Sequence, residues 1–219
     1  ELGEVVAVSA GFDHVMALNT DGEVICWGSN RMSQAKVPSG IKRKKIKQIA
    51  AGYQVSFALT EGGEVLYWGN ENLNDIRVTR KNGNGKIDKI SVANTTLMAI
   101  TKSGEAVHMG SQPSDIDTIP EDLGKVVDIA TTSDNALVLL EDGSLRVWGK
   151  KGKAIMDIPN IDGKIIALAA GRSHFTVLTE KGDVYVWGDN NKGQTKLPSN
   201  VKNISAVFSG SYQNYAITE

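Results

Sequence analysis

The side chains able to do chemistry are few, and a period places them where a catalytic spacing would not. The sequence holds three histidines, His14, His108 and His174, and one cysteine, Cys26. His14 and His174 lie 160 residues apart, at one register of the repeat described below. A histidine set by a repeat is expected to be structural, bonding neighbouring backbone, and not a general base. His108 precedes Met109-Gly110 and has no partner at triad or metal-ligand spacing. Ser9, Ser56 and Ser205 fall in predicted strands, and no Gly-x-Ser-x-Gly elbow is present. A single cysteine can neither close a disulfide within the chain nor build a cysteine zinc site. Its place in the apolar run before Trp27-Gly28 predicts a small buried hydrophobe.

Residues Arg80 to Ser91 imitate a calcium loop. Asn82, Asn84, Gly85, Ile87 and Asp88 fall on its third, fifth, sixth, eighth and ninth positions. Arg80 and Ser91, however, occupy the first and twelfth, where carboxylates are required, so no metal is expected. The glycines punctuate strands and form no phosphate cradle. The residues thus predict neither catalysis nor a cofactor.

Charge narrows the partners. Lys and Arg total 24 against 25 Asp and Glu, a formal net charge of -1. Such balance leaves no electrostatic footprint for nucleic acid or an anionic membrane. The basic run Lys42-Arg43-Lys44-Lys45 reads as a solvated loop. No stretch approaches the roughly 18 to 20 apolar residues of a membrane helix, so no membrane insertion is expected. There is no signal peptide, but the first residue is Glu1 and not methionine. The chain is expected to come from something longer, and its compartment is left open.

The elements that must position any site repeat along the chain. Trp-Gly recurs at Trp27-Gly28, Trp68-Gly69, Trp148-Gly149 and Trp187-Gly188, with Met109-Gly110 in the gap, in steps of 41, 41, 39 and 39 residues. Turn glycines Gly22, Gly63, Gly104, Gly143 and Gly182 keep the same steps, as do Gly11, Gly52, Gly171 and Gly210. Pro38, Pro120, Pro159 and Pro198 mark the unit ends, with Val78-Thr79-Arg80 replacing the second. Independent markers sharing one period identify a tandem repeat.

Each unit reads as an apolar run ending at glycine, a polar tip, a second apolar run, a turn and an alternating third run. Asp21-Gly22 and Asp142-Gly143 predict tight hairpins with both central residues at positive φ. The proline segment predicts a fourth, edge strand. No helical period is present, so the chain is expected to be all-β. Repeats of about 40 residues with three or four strands suit radial propellers, whose sheets bury their faces only by stacking. The tryptophans Trp27, Trp68, Trp148 and Trp187 are expected to pack between sheets, each following glycine admitting a close backbone.

Ala169-Ala170-Gly171-Arg172-Ser173-His174, then Leu178 to Asn190 with its Lys181-Gly182-Asp183 turn and Trp187-Gly188, then Gly193-Gln194, resemble the regulator of chromosome condensation repeat. Its first and fifth copies match best, and the third and fourth have drifted. In unit length the chain is similar to compact bacterial members of that family, among them the propeller-type β-lactamase inhibitor. The resemblance implies a β-propeller across 1–219, with repeats at about 5–41, 42–85, 86–124, 125–163 and 164–203 and a partial sixth at 204–219. Family rings usually close at seven blades, which needs about 280 residues. The ring is therefore expected to be an excised part, or open, or completed by partner chains. Sheet edges left open at 204–219, with Val207, Phe208 and Ile217, would invite self-association.

Function is then expected at the loops. The tips between first and second runs are in register and vary: Phe12-Asp13, Tyr53-Gln54, Asn94-Thr95, Ser133-Asp134, Arg172-Ser173 and Ser211-Tyr212. Phe12, Tyr53, Arg172 and Tyr212 are types enriched in binding hot spots. With Asp13 and Gln54 they form the candidate surface of a protein-binding scaffold, unless the aromatics fill the ring's centre. The family resemblance also allows guanine nucleotide exchange on a small GTPase, inhibition of a secreted enzyme, or a structural role in a larger surface or particle protein.

Overall fold

The computed structural model describes residues 2–70, 86–109, 115–150, 152–199 and 201–218. Its strands form six separate antiparallel sheets, each built from consecutive strands. The first contains β1 (Val5–Ala10), β2 (His14–Asn19) and β3 (Val24–Gly28). The second contains β4 (Ile46–Ala51), β5 (Val55–Thr60) and β6 (Val65–Gly69), and the third β7 (Ile87–Ala93), β8 (Thr96–Thr101) and β9 (Ala106–Met109). The fourth contains β10 (Val126–Thr131), β11 (Asn135–Leu140) and β12 (Leu145–Gly149). The short helix α1 (Lys153–Met156) precedes the fifth, which contains β13 (Ile165–Ala170), β14 (His174–Thr179) and β15 (Val184–Gly188). The sixth has two strands, β16 (Ile204–Ser209) and β17 (Asn214–Thr218). The chain divides into two compact units, 1–103 with 107–112 and 104–106 with 113–219.

Burial explains the sequence pattern. The central strands β5, β11 and β14 are buried along their whole length. They therefore read as continuous apolar runs, whereas the third strands are largely half-buried. Every first strand carries the same register shift near its start, from Val5/Ala7 in the first sheet to Ile204/Ala206 in the sixth. A bulge sharpens local twist, and its repetition shows that one backbone plan serves all six sheets.

Two local expectations are corrected. The hairpin turns are not the two-residue type. Asn19 N–H donates to Glu23 O at 3.1 Å and Gly22 N–H to Asn19 O at 3.0 Å, so Thr20-Asp21-Gly22 forms a three-residue loop. Asp21 is absent from the residues with positive φ, while Gly22 has φ 79°. This is a type I turn closed by a left-handed glycine, which shares its Asp-Gly signature with the tighter turn. The proline segments form no fourth strand among the described residues. Around Pro38 the chain runs through a turn into a 3-10 turn at Ile41–Arg43. Val78-Thr79-Arg80 lies outside the described residues.

The core lies between successive sheets. Met16 and Leu18 of the first sheet pack with Ile46, Ile49, Ala58 and Trp68 of the second. Phe57 and Leu59 meet Ile90, Leu97 and Met109 of the third, where Met109 fills the tryptophan register. In the second unit Leu137 meets Phe175, Val177 and Trp187, and Leu178 meets Ile204 and Val207. Each buried indole also finds an acceptor before its own sheet. Trp68 Nε1 donates to Gln34 O at 2.9 Å, Trp148 Nε1 to Ile116 O at 2.9 Å and Trp187 Nε1 to Ile155 O at 3.1 Å. Trp27 departs from the expected buried position and is exposed. The glycine after each tryptophan admits its own sheet's central strand and not a neighbouring sheet. A Cβ on Gly188 would stand 2.6 Å from Ser173 O.

Candidate functional site

The tips at the start of each second strand are held by backbone bonds that join neighbouring sheets. Phe12 N–H donates to Gly52 O at 3.3 Å, Tyr53 N–H to Asn94 O at 2.7 Å, and Arg172 N–H to Ser211 O at 3.2 Å. The preceding glycines make this possible. A Cβ on Gly11 would lie 2.4 Å from Gly52 O, and one on Gly171 2.5 Å from Gly210 O. That is the physical reason for the glycine landmark at this register. Gln54 and Asn94 adopt left-handed backbone, at φ 56° and 53°. Such conformations are uncommon for residues other than glycine and recur at binding sites.

On these tips the variable side chains associate in pairs across adjacent sheets. In the first unit Phe12 and Tyr53 form an edge-to-face pair with centroids 5.1 Å apart, and both are exposed. In the second unit Arg172 Nη1 donates to the Tyr212 hydroxyl at 2.9 Å, with its guanidinium carbon 5.9 Å from that ring's centre. Arg172 makes no ion pair among the described residues. Asp13 is part-exposed and accepts from Gln34 Nε2 at 3.3 Å, and Gln54 Oε1 accepts from Asn70 Nδ2 at 3.3 Å. Four of the six candidate residues thus associate as two pairs, one aromatic in the first unit and one cationic in the second, while Asp13 and Gln54 bond Gln34 and Asn70. Side-chain position here is fixed by contacts to neighbours, which lowers the ordering cost of binding.

The structure also assembles a constellation that the spacing did not reveal. His14 Nε2 lies 2.9 Å from Ser56 Oγ, and Asp13 Oδ1 lies 3.7 Å from His14 Nδ1. It has the residue types of a nucleophilic triad, but its protons run the wrong way. Ser56 Oγ donates its only proton to Gln34 O at 2.8 Å. His14 must therefore donate from Nε2, leaving Nδ1 bare, whereas a general base accepts the serine proton. Ser56 is fully buried, so no substrate reaches it. The fifth and sixth sheets repeat the clasp. His174 Nε2 meets Asn214 Oδ1 at 2.9 Å, and Asn214 Nδ2 donates to Gln194 O at 2.7 Å. Ser56 and Asn214 share one register, as do Gln34 and Gln194, so the Gly-Gln and His signals of the repeat jointly encode an inter-sheet clasp. Both histidines bond side chains of the next sheet and not backbone as expected. Burial lowers the pKa of both, with Asp13 partly opposing this at His14.

Residues 80–85 of the calcium-like loop lie outside the described residues, as does Gly110. Asp88 is bonded by Lys47 Nζ at 2.8 Å, which holds its carboxyl below the ordinary range. Burial pushes the Cys26 thiol up to about 11. No helix of the described residues is long and apolar enough to cross a membrane.

Residues 5–34, 46–74 and 165–194 match the Regulator of chromosome condensation (RCC1) repeat. No curated protein matches the sequence. Among solved structures, human WBSCR16 is 20% identical with a TM-score of 0.80, over 98% of this chain and 72% of that one. Prp20p from Saccharomyces cerevisiae is 18% identical with a TM-score of 0.80, over 98% and 70%. The CRINKLY ectodomain of the receptor kinase ACR4 from Arabidopsis thaliana is 17% identical with a TM-score of 0.77, over 98% and 75%. At these identities the likeness shows the fold.

Proposed function

We propose that this chain, which carries regulator of chromosome condensation repeats and has the β-propeller fold of that family, is a non-enzymatic protein-binding scaffold. The observation that carries the reading is the pairing of the variable tip residues, Phe12 with Tyr53 and Arg172 with Tyr212, on backbone held by inter-sheet bonds. Exposed aromatics and arginine on a rigid frame are the residue types that dominate binding energy. The bare histidine Nδ1 atoms and the inverted Ser56 proton speak against acyl transfer. Among proteins of like fold, Prp20p is described for its binding to Gsp1p and histones, and as a complex with Kap60. Those partners belong to Prp20p; only the use of the fold as a protein-binding frame is carried over.

The test is affinity capture by the chain and by two double variants, Phe12→Ala with Tyr53→Ala and Arg172→Ala with Tyr212→Ala. Each pair is exposed, so circular dichroism should stay unchanged. We expect captured proteins to fall about tenfold or more in at least one variant, the loss that one hot spot contributes. Capture identical across all three chains overturns the reading.

A further inference from the structure

We propose that the free edge of β3, with the notch beside it, is a docking site for an extended acidic segment of a partner protein, which adds to the first sheet as a fourth strand. The edge is open because of the repeat's own plan. The described residues that follow β3, β12 and β15 form a 3-10 turn, a short helix and loops, and none returns as a strand. Each of these third strands is therefore the last of its sheet.

Hydrogen bonding shows which groups are free. Asn19 N–H donates to Glu23 O at 3.1 Å and Ser29 N–H to Asp13 O at 2.8 Å, so the odd-numbered residues of this stretch turn their N–H and C=O groups towards β2. Those of Val24 and Cys26 point away from it and make no bond among the described residues. Such a row of groups pairs readily with an added strand.

Beside them lies a notch of about 110 Å³, open to solvent, with Val24, Val37, Ile41 and Lys42 on its walls. Val24, Val37 and Ile41 belong to the cluster between the first and second sheets, so an apolar side chain seated there extends a core that already exists. A cavity of about 150 Å³ takes benzene; the notch is of a size for valine, leucine or isoleucine and too small for an indole.

Charge selects the rest of the segment. The 3-10 turn Ile41–Arg43 buries Ile41 and leaves Lys42 and Arg43 exposed, and Lys45 is exposed just beyond it. Lys44 is paired with Glu64, whereas Lys42, Arg43 and Lys45 make no ion pair among the described residues. Glu23, also on the notch, is held by Asn19 Nδ2 at 3.4 Å. Unbalanced cations beside an apolar slot favour a strand with carboxylates flanking its aliphatic residue. A second copy brings the same cations and is repelled, and a nucleic acid offers neither a strand's amides nor the aliphatic side chain.

An array of acetylated heptapeptides tests it, with threonine alternating with residues varied at the centre and both ends. The strongest binders should carry Val, Leu or Ile at the centre and Asp or Glu at the ends. Exchanging those acids for lysine should weaken binding about tenfold or more in fluorescence anisotropy. N-methylation of the peptide amides that face the edge should abolish binding, and methylation of the alternate amides should spare it. Lys42→Glu with Arg43→Glu should also cost about tenfold, while circular dichroism stays unchanged because neither side chain has an ion pair to lose. Phe12→Ala with Tyr53→Ala should bind the peptide as the wild type does, so failure at the tips and failure at the edge are told apart. An array without a selective peptide, binding indifferent to N-methylation, or binding untouched by the two glutamates overturns the proposal. So does capture of an oligonucleotide at this site in preference to the acidic peptides.

Discussion

A histidine buried as a donor cannot easily take a second proton. His14 and His174 both donate from Nε2, and their Nδ1 atoms are buried without a hydrogen-bond partner. Protonation must place charge at Nδ1, where burial opposes it, so the folded pKa lies below the free value near 6.5. The unfolded chain then binds protons that the folded chain refuses. Stability is fully present above pH 6.5 and falls as pH drops through that value towards the folded pKa. The limiting slope is about 1.4 kcal/mol per pH unit for each histidine. The fourth repeat carries Asn135 at this register, its Nδ2 donating to Lys150 O at 2.8 Å. The variant His14→Asn with His174→Asn should therefore fold and show a flatter urea midpoint between pH 7 and pH 5. A slope equal to that of the wild type would place the titration elsewhere.

Among the elements, the strands were legible because their period is set by burial, and burial is what apolar residues report. Turn type was not. Asp21-Gly22 is compatible with two loop lengths, and the choice depends on which residues pair, here Asn19 with Glu23. The proline segments misled for a related reason: a missing N–H permits an edge strand but does not create one. The two glycine landmarks of each sheet differ in what they do, and substitution separates them. A Cβ on Gly22 meets nothing, so Gly22→Ala should lose only the left-handed preference, about 1 to 2 kcal/mol. Gly188→Ala carries a similar backbone cost at φ 119° and also drives a methyl to 2.6 Å from Ser173 O. Its loss should be at least twice as large in urea unfolding; equal losses would show that the close approach is easily relaxed.

At the scale of the molecule, the repeat was visible because four kinds of landmark keep one period, and the period implies stacked sheets. The tip register was visible for the same reason. What stayed hidden was which side chains meet. Arg172 bonds Tyr212, a residue one place out of register, and Phe12 leans on Tyr53 through a contact that only sheet spacing decides. The clasp of His14, Ser56 and Gln34 was hidden too, although His14 and Gln34 recur at the period as His174 and Gln194. Its signal lies in pairs of positions about one repeat apart, which inspection of single motifs passes over. Trp68 and Trp187 are buried by the preceding sheet of their own unit while Trp27 is exposed, so burial is a property of neighbours and not of the Trp-Gly motif.

That last point gives the protein an optical signature. Of its four tryptophans, Trp68, Trp148 and Trp187 are shielded and hydrogen-bonded, while Trp27 faces water. Its emission should therefore divide into a short-wavelength part that acrylamide hardly reaches and a long-wavelength part that it quenches readily. Trp27→Phe should delete the second and spare the first. Any surface that settles on the first sheet will darken the quencher's access and draw the remaining red emission towards the blue, so the chain reports the occupancy of that face in its own light.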